Sequence, residues 1–303
     1  MKRFALFTFV LAVFCVCVSS AQMNLPGTGD QSDAGWLVTG VNISGFLLDN
    51  PGGTSATGVI ATNIDDSTHG WKSVCVLPKC NPGGQNPPTS TFFLEQQSTT
   101  APPGSSDTLS LLVSETVNAP YTNALWVWTG GTCDTCVTMA SDFWIFPGPN
   151  IAQMQQIELD MYLFSSKKDD PVNGNNREYM WGLQWDQAGC GCWEIFNQGG
   201  SGNRWIHTGL TTPLTSAWHH IQVNNHRILT DTNNCGGVPC EYYDSLTLDG
   251  VLFVFNRSFP TSALPTGWSS STGFQFQLNA SGTVGSPFSV SEYINLANFS
   301  ATN

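Results

Sequence analysis

The sequence predicts an all-β protein, a jelly-roll β-sandwich, and three observations carry that expectation. Hydrophobicity alternates with a period of two in several stretches, most clearly at 155–164. There Ile157, Leu159, Met161 and Leu163 alternate with Glu158, Asp160 and Tyr162, which puts an apolar file on one strand face and a polar file on the other. Short runs of this kind recur between turns rich in Gly, Pro and Asn, with neither a helical period nor an internal repeat. Charged residues make up only 11% of the chain, against 30 glycines, as suits a turn-rich β-protein with a neutral polar surface.

The chain opens Met1-Lys2-Arg3, runs apolar from Phe4 to Val18 and reaches Ser19-Ser20-Ala21. A charged start, an apolar stretch and small residues at a cleavage site define a secretory signal peptide over 1–21. The mature protein is therefore expected to be secreted, whether extracellular, periplasmic or at the cell surface. Residues 22–70, rich in Gly, Asn, Asp, Ser and Thr, read as an N-terminal extension or edge strands, with weak strands near 36–43 and 58–61. One sandwich domain is expected over 71–303.

Within that domain, Trp71–Leu77, Thr91–Leu94 and Thr108–Ser114 read as strands divided by Pro-Gly-Gly, Pro-Pro and Pro-Pro-Gly-Ser-Ser loops. Asn123–Thr129 and Ala140–Phe146 are aromatic-rich strands on either side of a Cys133/Cys136 turn. A polar loop over 165–177 follows the central strand. Glu178–Asp186, Cys192–Asn197 and Arg204–Thr208 come next, joined by Gly-rich turns, and Ala217–Leu229 is the longest later strand. Tyr242–Leu248 and Val251–Asn256 flank Asp249-Gly250, a dipeptide suited to the positive φ angles of a two-residue hairpin turn. Gly273–Asn279 and Phe288–Phe299 complete the set.

Lys and Arg number 10 against 22 Asp and Glu, a formal net charge of −12. Nucleic acid is disfavoured as a partner, because phosphate binding needs clustered cations, and strongly anionic polymers are disfavoured for the same reason. No segment after the signal peptide approaches the roughly 18 uninterrupted apolar residues of a membrane span. A monomer is expected. No cofactor is expected; a structural calcium ion is compatible with the chain, although no motif indicates one. His219 and His220 are adjacent on a strand and point to opposite faces, so they cannot chelate together. A Gly-x-Ser-x-Gly nucleophile motif is absent.

Eight cysteines lie beyond the signal peptide, in close pairs: Cys75/Cys80, Cys133/Cys136, Cys190/Cys192 and Cys235/Cys240. Zinc sites use similar spacings, but export to an oxidising compartment favours disulfides. Cys75–Cys80 and Cys235–Cys240 can each close a short loop. Cys190-Gly-Cys192 is tight for a bond of ordinary geometry, which leaves cross-pairing with Cys133 and Cys136 open.

The alternation recurs on three more strands. Trp218, His220, Gln222 and Asn224 oppose Ile221 and Val223; Gln275, Gln277 and Asn279 oppose Phe274, Phe276 and Leu278; Gln184 opposes Tyr179, Trp181, Leu183 and Trp185. If these strands share one sheet, Glu158, Asp160, Gln184, His220, Gln222, Gln275 and Gln277 face one another across it. Amides and carboxylates offer planar donors and acceptors for sugar hydroxyls, and Trp193, Trp205 and Trp218 are candidate platforms for sugar rings, with Glu194 beside them. The alternative is a solvated face whose polar groups satisfy one another.

The strand and hairpin pattern of Trp218-His-His-Ile-Gln222 with Leu248-Asp-Gly250 resembles concanavalin A-like and laminin G-like jelly rolls. Ala124-Leu-Trp126, Ile157-Glu-Leu-Asp160, Tyr179-Met-Trp-Gly-Leu-Gln184, Trp193-Glu-Ile-Phe196 and Tyr243-Asp-Ser-Leu-Thr-Leu-Asp-Gly250 look like a group of exported acidobacterial proteins of this fold, over roughly residues 71–300. Glu158-Leu-Asp160 also resembles the start of the catalytic strand of laminarinase/lichenase-type β-glucanases. That resemblance implies Glu158 as nucleophile and Asp160 as its electrostatic helper, with Tyr162 where the family carries its acid/base. Glu178, Asp186 or Glu194 would then have to supply the second carboxyl from another strand. Alginate-lyase-like jelly rolls imply His220, Gln222 and Tyr162 as analogues, in reversed order and without a basic strand.

Three expectations follow. The first is a carbohydrate-binding protein recognising a neutral polysaccharide on a concave sheet. The second is a glycan-cleaving enzyme, foremost a glycoside hydrolase, using Glu158 on the same face. The third is a surface or matrix protein whose carboxylates are structural.

Overall fold

In the computed structural model, the described residues are 36–40, 59–60, 65–66, 71–75, 91–98, 100–105, 109–117, 122–129, 134–165, 169, 174–200, 204–229, 234–264, 270–283 and 285–302. Before residue 100, and at positions such as Phe274 and Gln275, the description covers the backbone alone. The signal segment lies outside it. Eighteen strands run in order: β1 Trp36–Gly40, β2 Val59–Ile60, β3 Asp65–Asp66, β4 Trp71–Cys75, β5 Thr91–Ser98, β6 Leu109–Val117, β7 Thr122–Thr129, β8 Thr138–Pro147 and β9 Met154–Ser165. There follow β10 Arg177–Asp186, β11 Cys192–Phe196, β12 Trp205–His207, β13 His219–Ile228, β14 Cys240–Leu248, β15 Val251–Pro260, β16 Ser262–Ala263, β17 Ser271–Ala280 and β18 Phe288–Thr302. A 3-10 turn, Ile151–Gln153, precedes β9, and the described residues contain no α-helix.

The strands form two sheets, the jelly-roll β-sandwich that the alternation predicted. Sheet I has the order β15-β14-β13-β8-β18-β6-β5-β2, with β1 parallel to β18. Sheet II has the order β12-β11-β10-β9-β17-β7-β4-β3, with β16 on β10. Strands from residues 22–70 thus join both sheets. Among the described residues no helix is long and apolar enough to cross a membrane.

The core lies between the sheets. From sheet I, Phe143, Ile145, Ile221 and Leu246 point inward; from sheet II, Leu159, Trp181, Ile195 and Phe276 meet them. Phe143 and Phe276 touch edge to face across the gap, ring centroids 5.7 Å apart, and burying such a ring contributes on the order of 1.5–3 kcal/mol. The Asp249-Gly250 turn has positive φ at both residues, 52° and 80°, and joins Leu248 directly to Val251 as cross-strand partners. That is the backbone the dipeptide predicted.

Two features join the sheets through polar groups. Arg227 points inward from sheet I, pairs with Asp169 at 2.5 Å and lies over the Tyr179 ring of sheet II at 5.2 Å. The second lies at the edge of β10. β11 pairs with β10 only over Leu183–Asp186, which leaves the Met180 and Gly182 amides without a strand partner on that side. They donate instead to β14 of the opposite sheet: Met180 N–H to Glu241 Oε2 (3.0 Å) and Gly182 N–H to the Tyr243 hydroxyl oxygen (2.9 Å). The Tyr243 hydroxyl donates to the Phe196 carbonyl (2.9 Å), and Glu241 Oε1 accepts from the Gln198 amide (3.1 Å). A buried amide left unpaired costs ~1–3 kcal/mol, so these side chains replace a missing ladder.

The topology corrects one sequence expectation. β13 belongs to sheet I, while β9, β10 and β17 belong to sheet II. Trp218, His220 and Gln222 therefore do not face Glu158, Asp160, Gln184 and Gln277. Alternation fixes which face a side chain occupies, not which sheet its strand joins.

Candidate functional site

Register assembles the outward face of sheet II into rungs. Gln277, Glu158, Gln184, Glu194 and His207 are successive partners across β17, β9, β10, β11 and β12. Gln275, Asp160 and Gly182 form the next rung, and Asn279, Gln156, Asp186 and Cys192 the one on the other side. Within the central rung, Gln277 Nε2 donates to Glu158 Oε2 at 2.5 Å, Gln184 Nε2 donates to Glu194 Oε2, and His207 Nε2 lies 3.0 Å from Glu194 Oε1. In the rung beside it, Asn279 donates to Gln156 (3.1 Å) and Gln156 to Asp186 (2.8 Å). In the central rung amides alternate with carboxylates, and in both rungs each of these side-chain amides donates to a neighbouring oxygen.

These groups are buried. Glu158, Gln184, Glu194 and Gln277 are nearly inaccessible and Asp160 is wholly so. The side chain of Gln275 lies outside the described residues. The described part of the face opens at its β12 end, where the His207 side chain is 60% exposed and Trp205 is half-buried against Phe196 at 5.1 Å; Gln156 is half-buried as well. Gly182 makes that packing fit: a Cβ there would stand 2.5 Å from Asp160 Oδ1, 2.9 Å from Phe196 Cβ and 3.0 Å from Trp205 Cη2.

Burial sets the electrostatics. It raises the Glu194 carboxyl above its usual range, and the nearby Asp186 charge adds to it, against the Gln184 hydrogen bond and the His207 charge. Further along the same face Glu178 is pushed up to about 7, chiefly by burial, opposed by a Gln198 hydrogen bond and the Arg204 charge. Glu241, fully buried, is raised well above the carboxylate range by desolvation. Glu292, inward on β18 between Val290 and Ile294, is raised in the same way and neither of its oxygens has a hydrogen-bond partner. Burial of this kind favours the neutral form of a carboxyl over the charged one.

The outward face of sheet I is different. His220 Nε2 lies 2.6 Å from Asp142 Oδ1, and Gln222 Nε2 donates to Asp142 Oδ2 at 2.7 Å. The His220 ring stacks on Trp144 at 4.7 Å and 13°. Beside them Phe146 packs edge-on to Trp218 (5.6 Å) and Tyr293 (6.1 Å), and the Trp218 indole donates to the Thr100 carbonyl (2.9 Å). The His220, Gln222 and Trp144 side chains are part-exposed, and Asp142 has 43% of its side chain accessible. His219 points inward, as alternation requires. Its Nε2 accepts the Thr215 amide at 2.9 Å, so Nδ1 carries the proton toward Asp249 at 2.7 Å.

Other candidates take less expected places. Trp193 is no platform: it alternates with Glu194, points into the core and donates from its indole to the Thr212 carbonyl at 2.8 Å. Cys190 and Cys192 are bonded to each other, a pairing the short spacing argued against; the turn permits it because Gly191 takes φ 58° and the Cα atoms stand 5.1 Å apart. Cys235 and Cys240 pair as expected. Cys136 is disulfide-bonded, whereas the side chains of Cys75, Cys80 and Cys133 lie outside the described residues. Sequence reasoning missed Asp142 and Trp144, although their alternation with Phe143 and Ile145 carried the same signal as the four strands it used.

No family model matches the chain, and no curated protein matches it. Among solved structures, a carbohydrate esterase from the Shiga toxin-encoding bacteriophage phi24B is similar at 10% identity and TM-score 0.40, over 76% of this chain and 92% of that one. The carbohydrate recognition domain of Emp47p is similar at 12% identity and TM-score 0.33, over 77% and 98%. A carbohydrate-binding module structure of the β-sandwich superfamily is similar at 14% and 0.32, over 81% and 64%. At such identities the likeness concerns the course of the strands and no residue of either face.

Proposed function

We propose that the protein is a secreted carbohydrate-binding jelly roll for a neutral polysaccharide, and that its contact surface is the outward face of sheet I. One observation carries this reading: the part-exposed set in which Trp144 stacks on His220 while Asp142 is held between His220 and Gln222. Aromatic faces supply apolar contact for the C–H faces of a sugar ring, and a fixed carboxylate and amide supply acceptors and donors for its hydroxyls. The surplus of acidic residues disfavours an anionic polymer.

A second reading rests on the central rung of sheet II. Glu158 and Glu194 flank Gln184 two strands apart, roughly 10 Å between backbones at the usual strand spacing. That separation is at the wide end for the two carboxyls of an inverting glycosidase, and a raised carboxyl such as Glu194 suits the general acid. Substrate would reach the pair only if the buried file opens.

One screen tests both: retention on insoluble β-glucan, cellulose, xylan and mannan, with reducing ends measured in the same tubes. Retention without product, weakened about tenfold by Trp144→Ala (~1.4 kcal/mol), is the expected result. Absence of retention on every polymer by folded protein overturns the binding reading. Product release abolished by Glu194→Gln or Glu158→Gln establishes the second reading in its place.

A further inference from the structure

The turn between β10 and β11 brings together four donors of three chemical kinds. One ligand atom each from Cys190, Cys192, Glu194 and His207 lies within 4.8 Å of all the others. Two come from a Cys-x-Cys turn, one from the strand that continues it and one from the neighbouring strand, paired in register with Glu194. In a tetrahedral zinc site with bonds of about 2.0–2.3 Å, ligand atoms stand roughly 3.3–3.8 Å apart. None of the four atoms stands more than about 1 Å beyond that spacing, and the two sulfurs, bonded to each other, stand inside it.

The surroundings are built rather than accidental. Gln184 donates to the Glu194 oxygen that faces away from His207, which fixes the carboxylate as an outer ligand partner does in metal sites. Asp186 holds the turn, accepting the Gly189 amide at 3.0 Å, the Cys190 amide at 3.1 Å and the Gln156 side chain at 2.8 Å. Glu194 is buried while His207 is largely exposed and Cys190 half-buried, so an ion or a reductant reaches the set from one side.

The geometry points to a redox-gated metal site: closed while Cys190 and Cys192 are joined, and open to zinc once they are reduced, with two thiolates, one carboxylate and one imidazole as ligands. The co-reactant is a dithiol. Its two S–H groups become a disulfide, the Cys190–Cys192 bond takes the two electrons, and each sulfur takes one proton. Zinc then displaces those two thiol protons to solvent and binds the thiolates with the Glu194 oxygen and a His207 nitrogen. Soft sulfur with one imidazole selects zinc over calcium or magnesium. This inference goes beyond the glycan reading and does not depend on it.

Cobalt(II) is the probe, since thiolate coordination gives it a near-ultraviolet charge-transfer band and a tetrahedral site gives intense visible bands. Full-length protein is titrated oxidised and after reduction with a phosphine, with the Cys190→Ser, Cys192→Ser double variant reduced in parallel to subtract metal held by the other cysteines. One additional equivalent bound only by reduced protein is expected, displaced by zinc and weakened at least tenfold by His207→Ala and by Glu194→Gln. Equal binding by reduced protein and the double variant overturns the site. So does unchanged affinity in both single variants, which would mean chelation by two thiols alone, or loss of the β circular dichroism signal on reduction, since the four donors meet only in the folded sandwich.

Discussion

The two outward faces of the sandwich are built from the same residue types and end in opposite states. On sheet II, Gln277, Glu158, Gln184 and Glu194 form a buried ladder in which carboxylates are tied to amides. On sheet I, Asp142, His220 and Gln222 are joined by hydrogen bonds of the same kind but stay part-exposed, beside a Trp144 ring that stays part-exposed too. An alternating polar file is therefore not by itself a binding surface. Burial decides: under cover, amide and carboxylate spend their hydrogen bonds on each other and shift their titration, while at the surface the same groups keep lone pairs and ring faces for a ligand.

That contrast predicts its largest effect in the response to pH. Glu178 is pushed from 4.5 up to about 7 by burial on the sheet II face. A carboxyl raised on folding binds more protons in the folded than in the unfolded chain between those two values. Stability is then full below about pH 4.5, falls as pH rises toward 7 and levels off above it. Glu178→Gln is expected to remove roughly 3 kcal/mol of that pH-dependent change, at 1.36 kcal/mol per unit over the shift from 4.5 to about 7, in urea unfolding followed from pH 4.5 to 8. A parallel profile in variant and wild type would show that the sheet II face is more open than its geometry says.

Packing gives the next effect. Gly182→Ala drives a methyl into Asp160, Phe196 and Trp205, and overpacking of this kind costs ~1–3 kcal/mol. A lowered denaturation midpoint with an unchanged m-value is the expected result; wild-type stability would mean that the β11–β12 hairpin yields freely. The smallest effect compares two glutamines directly. Gln184→Ala leaves a buried Glu194 oxygen without its donor, at ~1–3 kcal/mol, whereas Gln222→Ala on the part-exposed face stays within about 0.5 kcal/mol. Equal losses in calorimetry would erase the distinction between the faces.

The sandwich was legible because alternation is a local property: Ile157 to Leu163, Phe274 to Leu278 and Ile221 with Val223 each announce a strand with an inner file, and Asp249-Gly250 announces its turn. Sheet membership is not local. β13 pairs with β8, more than 70 residues earlier, and nothing in Trp218-His-His-Ile-Gln222 records that partner, so alternation alone sets its polar file against the wrong neighbours. The inter-sheet lock was hidden for another reason. Register shifts in β14 between Tyr243 and Ser245, so Glu241 and Tyr243 point inward together with Leu246 and Leu248, against simple parity. Glu292 shares the parity of Val290 and Ile294, so alternation does place it in the inward file, but nothing in its neighbours announces that both carboxyl oxygens stay without a hydrogen-bond partner.

The lock at Glu241 and Tyr243 also bears on how the chain reaches this structure. Met180 and Gly182 have their amides satisfied by side chains of the facing layer rather than by a neighbouring strand. Sheet II cannot finish its own backbone until sheet I has docked on it, and sheet I has no other use for a buried phenol and carboxyl at those positions. Closing these two hydrogen bonds therefore requires the docked layers, and exchange of the two amide protons with solvent is expected to report the parting of the layers rather than the fraying of a strand.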